Sequence, residues 1–133
     1  MSQRILVADH NPDVAESALS LLQLGGFEAM AVRSGREAIE AARQFQPHVA
    51  MLDICMPDMD GYQAAVALRR EHVAPHRLIL VAHTALSEPD DIERVRQAGF
   101  NFHVVKPLAD PLCDLIASFL AEPDHRRDLQ RRP

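Results

Sequence analysis

The chain has 133 residues, 47% of them hydrophobic, and a formal net charge of -5, which suits one domain with its own core. Its longest apolar runs, such as residues 78–82, are far too short to span a bilayer, no signal peptide follows Arg4, and the acidic balance argues against nucleic-acid binding by the whole domain. The two cysteines, Cys55 and Cys113, lack zinc-site spacing and point to a reduced, cytoplasmic setting.

Short β-like runs alternate with helical periods along the chain. The runs are 5–8, 28–32, 49–53, 78–82 and 101–105, and the third and fourth are almost wholly apolar, as strands covered on both faces are. After the first run, Val14, Ala18, Leu21 and Leu22 form one helical stripe that Gly25-Gly26 stops. Ser34-Gly35-Arg36-Glu37 is a capping-box pattern opening a helix through Phe45. A third helix is predicted over 61–71. Ser87-Glu88-Pro89-Asp90 opens a fourth, which Gly99 closes. Asp110-Pro111 caps a fifth, striped by Leu112, Leu115, Ile116, Phe119 and Leu120. The domain is expected over 1–121, followed by a polar, arginine-rich tail over 122–133.

Five βα units in this length predict an α/β, doubly wound, five-stranded parallel sheet of flavodoxin-like order 2-1-3-4-5, with helices on both faces. Ligands of such sheets bind beyond the carboxyl ends of the strands. Those ends carry Asp9 and His10, then Asp53, Thr84 and Lys106. Any one of these polar loop residues is ordinary; their convergence from four strand ends is not. Two carboxylates suit a hard, oxygen-seeking cation such as Mg²⁺, and a carboxylate can attack phosphorus to form an aspartyl phosphate. A lysine and a hydroxyl then serve the phosphoryl oxygens. The lysine is notable in itself. Of the 14 basic residues, Lys106 is the only lysine; all others are arginine. A compact ammonium suits a phosphoryl group in a way that a planar guanidinium does not.

The segment Met51-Leu52-Asp53-Ile54-Cys55-Met56-Pro57-Asp58-Met59-Asp60-Gly61 closely resembles the phosphoacceptor segment of response-regulator receiver domains, the CheY-like family of two-component signalling. Ile5-Leu6-Val7-Ala8-Asp9-His10-Asn11 resembles their acidic first loop, and Thr84-Ala85 and Lys106-Pro107 match two further signatures. The resemblance implies that Asp53 accepts a phosphoryl group from a histidine kinase or phosphotransfer protein. It implies that Asp9, Asp53 and the backbone carbonyl of Cys55 hold Mg²⁺, or Mn²⁺, that Thr84 is the switch hydroxyl, and that Lys106 pairs with phosphoryl oxygens. It implies a cis Lys106-Pro107 bond. The expected protein is a stand-alone, non-enzymatic switch, at most self-phosphorylating and self-dephosphorylating, which signals to a downstream protein through its helix 4–strand 5–helix 5 face.

The chain departs from the family pattern at two positions. His10 stands where a second metal-binding acid is usual. It either weakens Mg²⁺ binding, being a better ligand for Zn²⁺, Ni²⁺ or Cu²⁺, or points to solvent while water fills its place. His103 stands at the aromatic switch position and is expected to be an exposed residue of an edge strand. Both motivate an alternative, a degenerate receiver acting as a phosphorylation-independent adaptor. Retention of Asp53, Thr84 and Lys106 counts against it. Enzymes on similar sheets fit poorly: a dehalogenase-like phosphatase wants a second Asp where Cys55 stands, and a dinucleotide enzyme wants a glycine-rich first loop. Cys113 and Met51, Met56 and Met59 are expected to pack, and the remaining histidines show no metal-like spacing.

Overall fold

A computed structural model describes residues 3–71, 77–85, 89–106 and 111–121. The predicted features at Ser87, Glu88, Pro107 and Asp110, the side chains of His72, His76 and His125, and the tail over 122–133 lie outside the described residues.

The elements alternate as predicted: β1 (Arg4–Ala8), α1 (Pro12–Leu24), β2 (Glu28–Val32), α2 (Gly35–Phe45), β3 (Val49–Asp53), α3 (Gly61–Glu71), β4 (Ile79–Thr84), α4 (Pro89–Gln97), β5 (Phe102–Val105) and α5 (Leu112–Ala121). The strands form one parallel sheet in the order β2-β1-β3-β4-β5. Strand bounds differ from the sequence reading at β1, which begins one residue earlier, and at β4 and β5. β4 runs on through His83 and Thr84, whose polarity ends the apolar run but not the ladder, and β5 begins at Phe102 because Asn101 serves as an anchor.

Local signals set the helix ends. Asn11 caps α1, its side-chain oxygen accepting from the Asp13 N–H at 2.9 Å. The Ser34 hydroxyl accepts from the Glu37 N–H at 3.1 Å, and Glu37 reaches back to the Arg33 N–H at 2.8 Å. At the end of α1 a side chain on Gly25 would meet Cys113 Sγ at 2.4 Å, so glycine lets α5 approach. The Cys113 thiol donates to the Leu21 carbonyl at 3.2 Å, which makes this cysteine a packing residue.

Strand alternation divides the interior into two cores. Ile5, Val7, Met51, Val81 and Phe102 face α1 and α5, where Phe102 stacks on Phe119 with ring centroids 4.2 Å apart. Leu6, Leu52 and Leu80 face α2, α3 and α4, meeting Ile39, Tyr62 and Val95. At the amino-terminal edge of β4 and β5, Arg69 of α3 ties the elements together. It donates to the Gly99 carbonyl at 2.9 Å, the Leu78 carbonyl at 2.6 Å and Asn101 Oδ1 at 2.6 Å. The same Asn101 oxygen accepts from the Leu80 N–H at 2.9 Å.

Candidate functional site

At the opposite, carboxyl edge the predicted residues gather. Asp9 follows β1 and is buried; its N–H donates to the Val32 carbonyl at 3.1 Å, which fixes the loop to β2. Its carboxylate accepts from the Asn11 N–H at 3.0 Å and from Lys106 Nζ at 3.1 Å. Asp53 ends β3 and is also buried. Its Oδ1 accepts from the Cys55 N–H at 3.2 Å and lies 3.3 Å from Lys106 Nζ. Cys55 itself is exposed. Thr84, buried, ends β4, and its carbonyl accepts from the Lys106 N–H at 2.8 Å, which places the lysine beside it.

One ammonium thus serves two buried carboxylates. Burial works to lower the Lys106 pKa, but the hydrogen bond to Asp9 and the charges of Asp53 and Asp9 outweigh it and raise it overall. Lys106 stays cationic, and the pair of acids keeps one uncompensated negative charge.

His10 does not simply face water. Its ring is half exposed, yet Nδ1 stands 3.0 Å from Asp53 Oδ2. Asp9, His10 and Asp53 each bring one ligand atom within 4.8 Å of the others, the one such group of three among the described residues.

His103 corrects the sequence reading: it is fully buried, not exposed. β5 is an edge strand in its hydrogen bonding only, since helices cover both of its faces. The His103 side chain lies on the α4 face, paired in register with Ala82. Position 103, where the receiver resemblance implied an aromatic ring, is therefore filled by a buried imidazole.

Two residues beside the site escaped the sequence reading. His83 pairs in register with Asp53 and lines a cavity of about 570 Å³ between α1 and α5, with Val7, Met51 and Leu112. Burial, then the nearby Lys106 charge, lowers its pKa to about 4, so it is neutral at neutral pH. Its position directly before Thr84 was the available signal. Gly61 is the second. A side chain there would meet the Asp53 carbonyl oxygen at 2.5 Å and Ile54 Cα at 2.8 Å. Its N–H donates to the Ile54 carbonyl at 2.9 Å, so glycine lets α3 start against the end of β3 and hold Asp53 in place.

Residues 5–117 match the model of the response regulator receiver domain. The chain belongs to this family. It is similar to the polar-differentiation response regulator DivK of Brucella ovis, with 28% identity over 123 residues, 92% of this chain and 99% of DivK. In structure it is similar to the chemotaxis protein CheY4 of Vibrio cholerae, with a TM-score of 0.81 at 22% identity, covering 92% of this chain and 100% of that one. A CheY-like receiver domain from Methanospirillum hungatei aligns with a TM-score of 0.80 at 20% identity, over 96% of this chain and 98% of that one. These structural likenesses establish the CheY-like flavodoxin fold of this receiver. Among the described residues, no helix is long and apolar enough to cross a membrane.

Proposed function

We propose that this receiver accepts a phosphoryl group on Asp53 from the phosphohistidine of a histidine kinase or phosphotransfer protein. The observation that carries the proposal is the placement of Asp53: a buried strand-end carboxylate whose Oδ1 is held by Lys106 and the Cys55 N–H. A carboxylate oxygen attacks phosphorus, the P–N bond of the donor breaks, and its electron pair returns to the donor imidazole. The Lys106 ammonium offsets charge on the transferred group, and the Thr84 hydroxyl donates to one of its oxygens. The phosphorylated state then favours a different arrangement of the α4–β5–α5 face and a different affinity for a downstream protein. The chain acts as a switch rather than an enzyme with a separate substrate. Its cysteines, free among the described residues, suit the cytoplasm, where a kinase would meet it.

The donor set is a poor match for Mg²⁺, which prefers oxygen ligands. Asp9, Asp53 and the Cys55 carbonyl would hold Mg²⁺ or Mn²⁺, but His10 brings nitrogen and no negative charge where an acid would help. Binding of either ion is expected to be weak.

Acetyl phosphate tests the proposal. Incubation with Mg²⁺ or Mn²⁺ should add one phosphoryl group by intact mass to the wild type and none to Asp53→Asn. No mass gain in the wild type, under conditions that label a control receiver, overturns it. The contact between His10 and Asp53 favours a second reading, an adaptor that needs no phosphorylation. Loss of partner binding in a folded Asp53→Ala variant would exclude that reading.

A further inference from the structure

We propose that Asp9, His10 and Asp53 form a mixed nitrogen–oxygen site selective for a borderline divalent cation of the Zn²⁺ or Ni²⁺ class over Mg²⁺. The proposal deepens the receiver reading, because it concerns the same strand-end pocket, and it turns on the one residue there that departs from the family pattern.

Geometry supports it first. Imidazole and carboxylate donors stand about 2.0–2.2 Å from a Zn²⁺ ion, so neighbouring donors of one ion lie roughly 3–4 Å apart. His10 Nδ1 and Asp53 Oδ2 are 3.0 Å apart, and the ligand atoms of all three residues fall within 4.8 Å of one another. The two carboxylates are fixed: Asp9 and Asp53 are 1% and 2% exposed, and main-chain N–H groups of Asn11 and Cys55 hold them. The imidazole is the adjustable member. Its ring is half exposed, and its backbone lies between the anchored Asp9 and the helix-capping Asn11. Its Nδ1 already faces the Asp53 carboxylate, so a small ring rotation suffices to turn that nitrogen to a cation.

Charge and ligand chemistry agree. Two carboxylates against the single Lys106 ammonium leave one negative charge at the edge, which attracts a divalent ion. Mg²⁺ gains little from a neutral imidazole and retains its waters, whereas imidazole suits Zn²⁺, Ni²⁺ and Cu²⁺. Replacing an acid by histidine therefore weakens the site for one class of cation and strengthens it for the other.

Calorimetric titration of the full, untagged chain with Ni²⁺ alone and with Mg²⁺ alone tests this. The expected wild type binds one Ni²⁺ about tenfold or more tightly than either His10→Ala or Asp53→Asn does. His10→Asp should reverse the preference, binding Mg²⁺ about tenfold or more tightly than the wild type. Cu²⁺ added to the wild type should show imidazole nitrogen coupling in its electron paramagnetic resonance spectrum, and that coupling should be absent in His10→Ala. Equal Ni²⁺ affinity in the wild type and His10→Ala overturns the proposal, as does unchanged Mg²⁺ affinity in His10→Asp. Acetyl phosphate labelling separates this result from the receiver reading. Labelled Asp53 with Ni²⁺ binding indifferent to His10 removes only the cation assignment. Unlabelled Asp53 with His10-dependent Ni²⁺ binding removes only phosphoacceptance.

Discussion

At the amino-terminal edge of the sheet, Arg69 spends three nitrogens on the Gly99 and Leu78 carbonyls and on Asn101, which in turn holds the Leu80 N–H. At the carboxyl edge, Asp9 and Asp53 share one ammonium, and a half-exposed imidazole leans on Asp53. Both clusters are polar and drawn from distant parts of the chain. They differ in what they leave over. The Arg69 cluster matches the guanidinium donors to two main-chain carbonyls and the Asn101 side-chain oxygen, so its bonds tie α3 to the amino-terminal ends of β4 and β5. The Asp53 cluster places like charges together with too little positive charge to balance them. A cluster whose donors and acceptors match stabilises the fold, whereas one with surplus negative charge attracts a cation.

Variants can break this contrast. The largest effect is expected from Arg69→Ala, which takes the guanidinium donors from the half-buried Gly99 and Leu78 carbonyls and leaves Asn101 with the Leu80 N–H alone: a loss of about 2–4 kcal/mol in urea unfolding, with Asp53 labelling by acetyl phosphate retained. A loss below about 0.5 kcal/mol would show that the lower cluster is not structural.

His83 comes next. Folded, it resists protonation down to about 4, whereas unfolded it takes a proton near the ordinary value of 6.5. Between those values the unfolded chain binds the extra proton, so stability falls as pH falls. His83 should account for a loss of about 2 kcal/mol between about pH 7 and about pH 5, and His83→Leu should remove that part of the slope. Parallel stability–pH curves for the two proteins would contradict its assignment as a buried neutral group.

A smaller effect on stability is expected at the carboxyl edge. Asp53→Asn relieves the excess charge and should change unfolding free energy by less than about 1 kcal/mol, while all labelling is lost. A larger destabilisation would make Asp53 a structural residue like Asn101. The smallest change in stability is expected from Lys106→Arg, which keeps the charge. Its effect should fall on switching: acetyl phosphate should no longer shift the amide resonances of α4, β5 and α5 as it does in the wild type. Identical shifts would mean that the single lysine of this arginine-rich chain has no special role.

Much of the fold was legible because it rests on short-range signals. The Ser34 and Gly25 helix boundaries, the apolar runs of β3 and β4, and the alternation of strand and helix all lie within a few residues of what they specify. The sheet order followed from counting βα units in the available length. The strand-end rule then located Asp9, Asp53, Thr84 and Lys106 without any contact being known. Less legible were residues whose role depends on what covers them. Arg69 is one of two adjacent arginines in the last turn of a helix, and nothing near it in the chain announces Gly99, Leu78 or Asn101. His83 and Thr84 look like a break in an apolar strand, although they are its last two rungs.

The sequence by itself determined which chemical groups stand at each strand end, and that one of them is a lysine where every other cation is arginine. It also determined that a histidine stands at position 10, where the receiver resemblance implies an acid. Only the tertiary structure decided where the two unusual histidines go. His10 meets a carboxylate 43 residues away rather than water, and His103 is sealed under α4 although it belongs to an edge strand. Both outcomes depend on the packing of distant segments: the loop that the Asp9–Val32 bond holds against β2 in one case, and a helix laid over a pleated strand in the other. A one-dimensional pattern records neither, because identity and spacing set which face a side chain occupies, while the partner that reaches that face comes from elsewhere in the chain.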